Sequence, residues 1–234
     1  MRRLLTAVAA RRLSLALLFA TVLLPLAAVG ALAEDVWHAE VFPFDGPLLT
    51  WLHARSTPRL DALMLFFSRA GAPRPMVALF VAVLVALLAL RRRGDATFFA
   101  VAVAGAMALN FAAKVLFGRA RPDLWISLAP ESDYSFPSGH AMGSMAVAVA
   151  LASLAWGTRW RWPVAIVSGL FVAAVGLSRL YLDVHYPSDV LTGWLAALAW
   201  VGGVRLIRSS QFLRGLFHLR RAARAAQGEA VAGH

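Results

Sequence analysis

Six stretches of the chain run for about fifteen residues or more with few charges: about 13–33, 76–90, 96–117, 140–157, 163–180 and 187–207. Only a few residues separate most of them, and many of these spacers carry arginine. A helix rises about 1.5 Å per residue, so roughly twenty apolar residues cross the ~30 Å of bilayer hydrocarbon. The pattern therefore predicts an all-α fold, a polytopic membrane helix bundle with about six transmembrane helices. One segment, 34–75, is too long for a simple hairpin. Within it Leu60, Leu63, Met64 and Phe67 recur at i, i+3, i+4 and i+7 beside Asp61 and Arg69. That stripe predicts an interfacial amphipathic helix in the first outer loop, lying in the headgroups or against the bundle. The chain divides accordingly into a stub with the first span (1–33), an outer segment (34–75), a transmembrane core (76–208) and a basic tail (209–234).

Composition narrows the classes. Of the 234 residues 60% are hydrophobic, 15% are charged and none is cysteine. Disorder, disulfide frameworks and cysteine-ligated metal sites are thereby excluded. The net charge of +11 suits nucleic acid only in a soluble, charge-rich domain, so no nucleic-acid partner is expected. Its distribution instead reports topology, because cytoplasmic loops retain basic residues. With the N-terminus inside, fifteen arginines fall on the inner side and seven outside: Arg55, Arg59, Arg69, Arg74, Arg119, Arg121 and Arg179. Both termini are expected in the cytoplasm of a multi-pass cell-membrane protein. Ala31-Leu32-Ala33 before Glu34 also resembles a signal-peptide cleavage site, although the apolar run is long for one. Cleavage would leave the later loops on the same sides.

The unusual polar residues gather at three places, all at outer helix ends. Lys114, the only lysine, precedes Arg121-Pro122 after the third span. Pro137-Ser138-Gly139-His140 opens the fourth, and Ser178-Arg179, His185 and Asp189 run from the fifth into the sixth. Ionisable groups at a membrane boundary are costly unless paired, hydrated or used. Three clusters on one side suggest one converging site.

Each cluster has a chemistry and a plainer alternative. Lys114, Arg121 and Arg179 are cations suited to phosphate oxygens; alternatively the lysine snorkels and the arginines pair with Asp123, Glu131 or Asp133. Ser138 is a good N-cap, and Gly139 lets an anion approach the free N–H groups of the first turn. There the helix dipole opposes a proton on His140, and a bound phosphate favours one; the alternative is a structural cap beside an incidental histidine. At His185 and Asp189, four apart, the carboxylate can hold one ring nitrogen while the other keeps its lone pair for nucleophilic attack. A hydrogen-bonded interfacial histidine would look the same.

In this order the clusters resemble the three-part signature of the type 2 phosphatidic acid phosphatase superfamily: Lys-x6-Arg-Pro, Pro-Ser-Gly-His and Ser-Arg-x5-His-x3-Asp. All eleven fixed positions match, within 114–189. The resemblance implies that Lys114, Arg121 and Arg179 bind the phosphoryl oxygens, with Ser138 and the Gly139 backbone completing the cradle. It implies His185 as nucleophile polarised by Asp189, a phosphohistidine intermediate, and His140 as acid and then base. It implies no metal and no other cofactor, and the outer loops carry no carboxylate or histidine cluster dedicated to a cation. Soluble acid phosphatases and vanadate haloperoxidases share the signature, but the apolar spans argue against them. The expected substrate is a lipid phosphate, cleaved at the outer, periplasmic face. A lipid phosphotransferase shares the first half-reaction. An anionic-lipid transporter would use the cations but not the histidines.

Overall fold

The computed structural model describes residues 15–16 and 18–209. The basic stub, the candidate leader's start and the tail 210–234 lie outside the described residues. Within these bounds every regular element is helical. Helix α1 (Phe19–Trp37) opens with a π-helical turn. The outer segment holds α2 (Asp45–His53) and α3 (Pro58–Ala70). Then follow α4 (Pro73–Ala89), α5 (Arg93–Phe117), α6 (Gly139–Ala155), α7 (Arg161–Tyr181) and α8 (Pro187–Arg208).

Helices α1, α5, α7 and α8 are each long and apolar enough to cross a membrane. Helices α3 and α4 meet that test together, as a pair bent by 47°. Helix α6 is apolar but has 17 residues, about 25 Å of helix. The six apolar runs thus become four full-length helices, one bent pair and one short helix, all in a multi-pass membrane bundle.

The outer segment is folded onto the bundle. Thr57 caps α3 by accepting the Leu60 N–H at 3.3 Å, and Pro58 suits its first turn. Met64, with Leu60 and Leu65 beside it, packs against Tyr181, Leu182 and Val184 at the C-terminal end of α7. Tyr181 Oη donates to Asp61 at 2.5 Å. Of the stripe, Met64 and Leu60 pack against the bundle while Leu63 stays 44% exposed. Helix α2 was not anticipated from the sequence; it buries Leu49 and Leu52 beside Leu180, Ala141 and Val190.

Helix α6 lies at the centre, packed by α5, α7 and α8. Its buried positions are mostly small: Ala141, Gly143, Ser144, Ala146, Ala148 and Ala150. Small residues let backbones approach where lipid offers no hydrophobic drive to association. The tightest approach to another backbone is at Gly193 of α8. A Cβ there would lie 2.8 Å from the Ser138 carbonyl oxygen and 3.1 Å from the Met142 nitrogen. The first helix, α1, also docks on α8, where a Cβ at Gly202 would stand 2.9 Å from the Thr21 carbonyl oxygen.

Candidate active site

All eight candidate residues come together at one end of the bundle, on helix ends and the loops that join them. Helix α5 presents Lys114 in its last turn, and the loop 118–138 brings Arg121 back over it. Ser138 caps α6, its Oγ accepting the Ala141 N–H at 3.4 Å, while its own N–H donates to the Asp189 carbonyl at 3.1 Å. Gly139 is needed for space: a Cβ would lie 3.1 Å from Asn110 Oδ1 and 3.9 Å from Lys114 Cε. Asn110 holds this entry in place by donating to the Pro137 carbonyl at 3.1 Å. Arg179 ends α7, and the loop after it sets His185 beside Asp189 in the first turn of α8.

The hydrogen bonds define the state of His185. Arg121 Nη1 lies 3.1 Å from His185 Nε2. Guanidinium nitrogens only donate, so Nε2 presents a lone pair and the ring proton sits on Nδ1. Nδ1 faces Asp189 Oδ2 at 3.4 Å. Burial holds the imidazole's pKa down at about 4; Asp189 opposes that shift, and Arg121 and Arg179 add to it. At neutral pH the ring is therefore uncharged and faces a carboxylate through Nδ1.

The cations are already matched with carboxylates of the loop. Lys114 Nζ meets Asp133 Oδ2 at 2.8 Å. Arg121 bonds Glu131 Oε2 at 2.7 Å and also pairs with Asp133. Arg179, only 1% exposed, reaches the Ser68 hydroxyl with one arm of its fork and Glu131 with the other. Burial would raise the Asp133 carboxyl, but hydrogen bonds from Lys114 and Arg121 outweigh it and bring the pKa to about 2. Glu131 stands at the focus of the cluster: Oε1 is 3.9 Å from His140 Nδ1 and Oε2 is 3.9 Å from His185 Nε2. The ion-paired arrangement and the convergent cradle are thus the same place, with a carboxylate at its centre.

Several residues of the site escaped the sequence reading. Ser135 donates to Asp189 Oδ2. Arg119, counted there only as one of the outer arginines, binds Asp189 Oδ1 at 2.5 Å. Asp45 and Ser188 complete that contact. Arg119 had one signal, a second arginine two positions before the motif's own; Ser135 and Asp45 had none. Among the described residues, no group of three or more His, Cys, Asp or Glu is placed to hold a metal ion.

Known proteins resemble this chain in sequence and in fold. The model of the PAP2 superfamily matches residues 95–212. Phosphatidylglycerophosphatase B of Bacillus subtilis is 31% identical over 146 residues, 60% of this chain and 71% of that protein. An undecaprenyl-diphosphatase of Sulfolobus acidocaldarius is 30% identical over 163 residues, 68% of this chain and 75% of that one. The crystal structure of a transmembrane PAP2-type phosphatidylglycerolphosphate phosphatase from Bacillus subtilis superposes with a TM-score of 0.69 at 25% identity, covering 77% of this chain and 94% of that one. With its motifs gathered at one bundle end and this match along its core, the chain belongs to the PAP2 superfamily.

Proposed function

We propose that the protein is an integral-membrane lipid phosphate phosphatase. It cleaves a phosphate monoester or a terminal diphosphate through a phosphohistidine on His185, without a metal. The observation that carries the substrate class is a single cavity of about 750 Å³ that holds both chemistries. One end is lined by Lys114, Glu131, His140 and His185; the other runs between Met76 and Phe80 of α4 and Met107 and Phe111 of α5. Its volume lies in the ~300–1,000 Å³ range of small-molecule sites. An anionic headgroup and an apolar tail fit it together; a soluble phosphate ester would leave the apolar half unfilled. The relatives' names suggest phosphatidylglycerophosphate and polyprenyl diphosphate types as the first to offer, and the motif resemblance adds phosphatidic acid. The arginine distribution supports a site on the outer, periplasmic face with cytoplasmic termini.

The chemistry follows from the geometry. His185 Nε2 attacks phosphorus with its lone pair, and the bond from phosphorus to the leaving oxygen breaks in line. His140, which takes up a proton as the phosphate anion binds beside it, gives that proton to the leaving oxygen. The Nδ1 proton stays toward Asp189, whose charge offsets the one developing on the ring. Lys114, Arg121 and Arg179 balance the equatorial oxygens, the electrostatic work that dominates such displacements. Water then attacks phosphorus as His140 takes its proton, the P–N bond breaks and inorganic phosphate leaves.

The test is phosphate release by purified protein in detergent, offered a panel of lipid phosphates with a chelator present. Turnover of long-chain substrates is expected; preference for a water-soluble ester would overturn the lipid reading, and loss of activity to the chelator the metal-free one. A further expectation concerns Glu131. An entering phosphoryl group must displace its carboxylate from Arg121 and Arg179. Glu131→Gln should strengthen competitive inhibition by inorganic phosphate on the order of tenfold, the size of one screened ionic contact of about 1.4 kcal/mol. An unaltered inhibition constant would show that Glu131 does not compete for the cradle.

A further inference from the structure

Beyond the family's motif positions, one guanidinium lies between two buried carboxylates. Arg119 Nη1 donates to Asp189 Oδ1 at 2.5 Å and to Ser188 Oγ at 2.8 Å, and Nη2 reaches Asp45 Oδ2 at 3.1 Å. The Asp189 side chain is fully buried and that of Asp45 is 4% exposed. Asp45 also takes the Ser188 N–H at 2.9 Å and its hydroxyl at 2.6 Å. The guanidinium lies over the Tyr186 ring, 4.2 Å from its centroid. Asp45 belongs to α2, in the outer segment ahead of the family match.

We infer that Arg119 and Asp45 are positioning residues for the His185–Asp189 pair, a brace that fixes the Asp189 carboxylate and moderates its charge. The inference rests on His185 being the nucleophile. Arg119 occupies Oδ1 of Asp189, which leaves Oδ2 for the Ser135 hydroxyl, the Tyr186 N–H at 2.9 Å and His185 Nδ1. A carboxylate held at both oxygens cannot rotate away from the imidazole. Asp45 in turn holds Arg119 and the backbone next to Asp189.

The brace also sets how strongly Asp189 draws the imidazole's proton. The other groups facing His185 are Arg121, Glu131 and Ser135 from the loop, Arg179 from α7 and His140 from α6. None of these touches Asp45. An uncompensated Asp189 would favour a protonated ring, which has no lone pair to attack with. Arg119 offsets that charge, and Asp45 limits the offset.

Removing the two ends of the brace therefore moves the nucleophile in opposite directions. Arg119→Gln should carry the acid limb of the kcat profile to higher pH, and Asp45→Asn should carry it to lower pH. Each should reduce kcat about 10- to 100-fold with KM little changed, the scale expected for a partner behind a reactive imidazole. Arg119→Lys, which restores charge without the two-armed fork, should return the limb toward its original position with partial kcat. The same lipid phosphate is used throughout, so its own ionisation is common to every profile. If Arg119→Gln does not fold, Asp45→Asn and the double variant, which leaves no unmatched charge, carry the comparison. A fall in kcat with unmoved acid limbs, or with melting temperatures falling in step, would reduce the brace to a fold contact and overturn the inference. Unchanged kcat would do the same. His185→Ala is assayed alongside: its full turnover would reject the nucleophile itself, whereas an inactive His185→Ala with indifferent brace variants would reject the brace alone.

Discussion

Replacing His185 with alanine should stop phosphate release, lowering kcat on the order of 10⁴-fold or more. The reasoning is geometric. His185 is 1% exposed, its Nε2 accepts from Arg121 at 3.1 Å and its Nδ1 faces Asp189 at 3.4 Å. No other side chain in the cavity combines an uncharged lone pair with an orienting carboxylate; His140 has Glu131 at 3.9 Å, on the cavity side. With His185 as the proposed nucleophile, its loss leaves only the electrostatics of the surrounding cations. Rapid quenching of the wild type with labelled substrate should trap phosphate on protein, acid-labile and absent from the alanine variant. Because a buried ring is removed, melting in detergent establishes that the variant is folded. Full turnover by a folded His185→Ala would sink the phosphohistidine mechanism.

The second large effect belongs to Arg179. Arg179→Ala should raise KM and lower kcat together, reducing kcat/KM about 10²- to 10³-fold, the scale of losing one preorganised donor to a transition-state oxygen. Arg179 is tied to Ser68 on α3 and to Glu131, so its fork is fixed before any substrate arrives. A donor that is already ordered stabilises developing charge without reorganising. Lys114→Ala should act in the same direction more weakly, because a flexible ammonium gives a point charge instead of a fork. Unaltered kinetics for Arg179→Ala would remove it from the site. An increase in KM alone would make it a ground-state anchor for the headgroup.

The sequence disclosed the long helices because each requires an uninterrupted apolar run, and a run is a local property. Helix α2 was hidden because its nine residues include Gly46 and Pro47 and complete too few turns to show a period. The stripe on α3 was visible, but its partner was not: Met64 settles against Tyr181 and Val184 from the far end of the chain. The site divides in the same way. Lys114, Arg121, Ser138, Gly139, His140, Arg179, His185 and Asp189 stand in spaced patterns, so they could be named. Asp45 meets Ser188 across 143 residues of sequence, and no spacing announces such a contact. Glu131 and Asp133 were named as possible partners of the arginines. Only the folded loop shows that this pairing occupies the cradle itself.

The seat of α1 on α8, at Gly202, has a consequence for how the protein comes into being. Helix α1 leaves the ribosome before the other described helices, and the helix it packs against leaves after them. Lys114, His140 and Arg179 are already made by then, yet Asp189 and the Ser188 and Val190 contacts of α2 arrive only with α8. A chain still lacking α8 therefore holds Lys114, Arg121 and Arg179 with their loop carboxylates but not the Asp189 that faces His185. The proposed site is thus complete only with α8 in place, the helix that also seats α1.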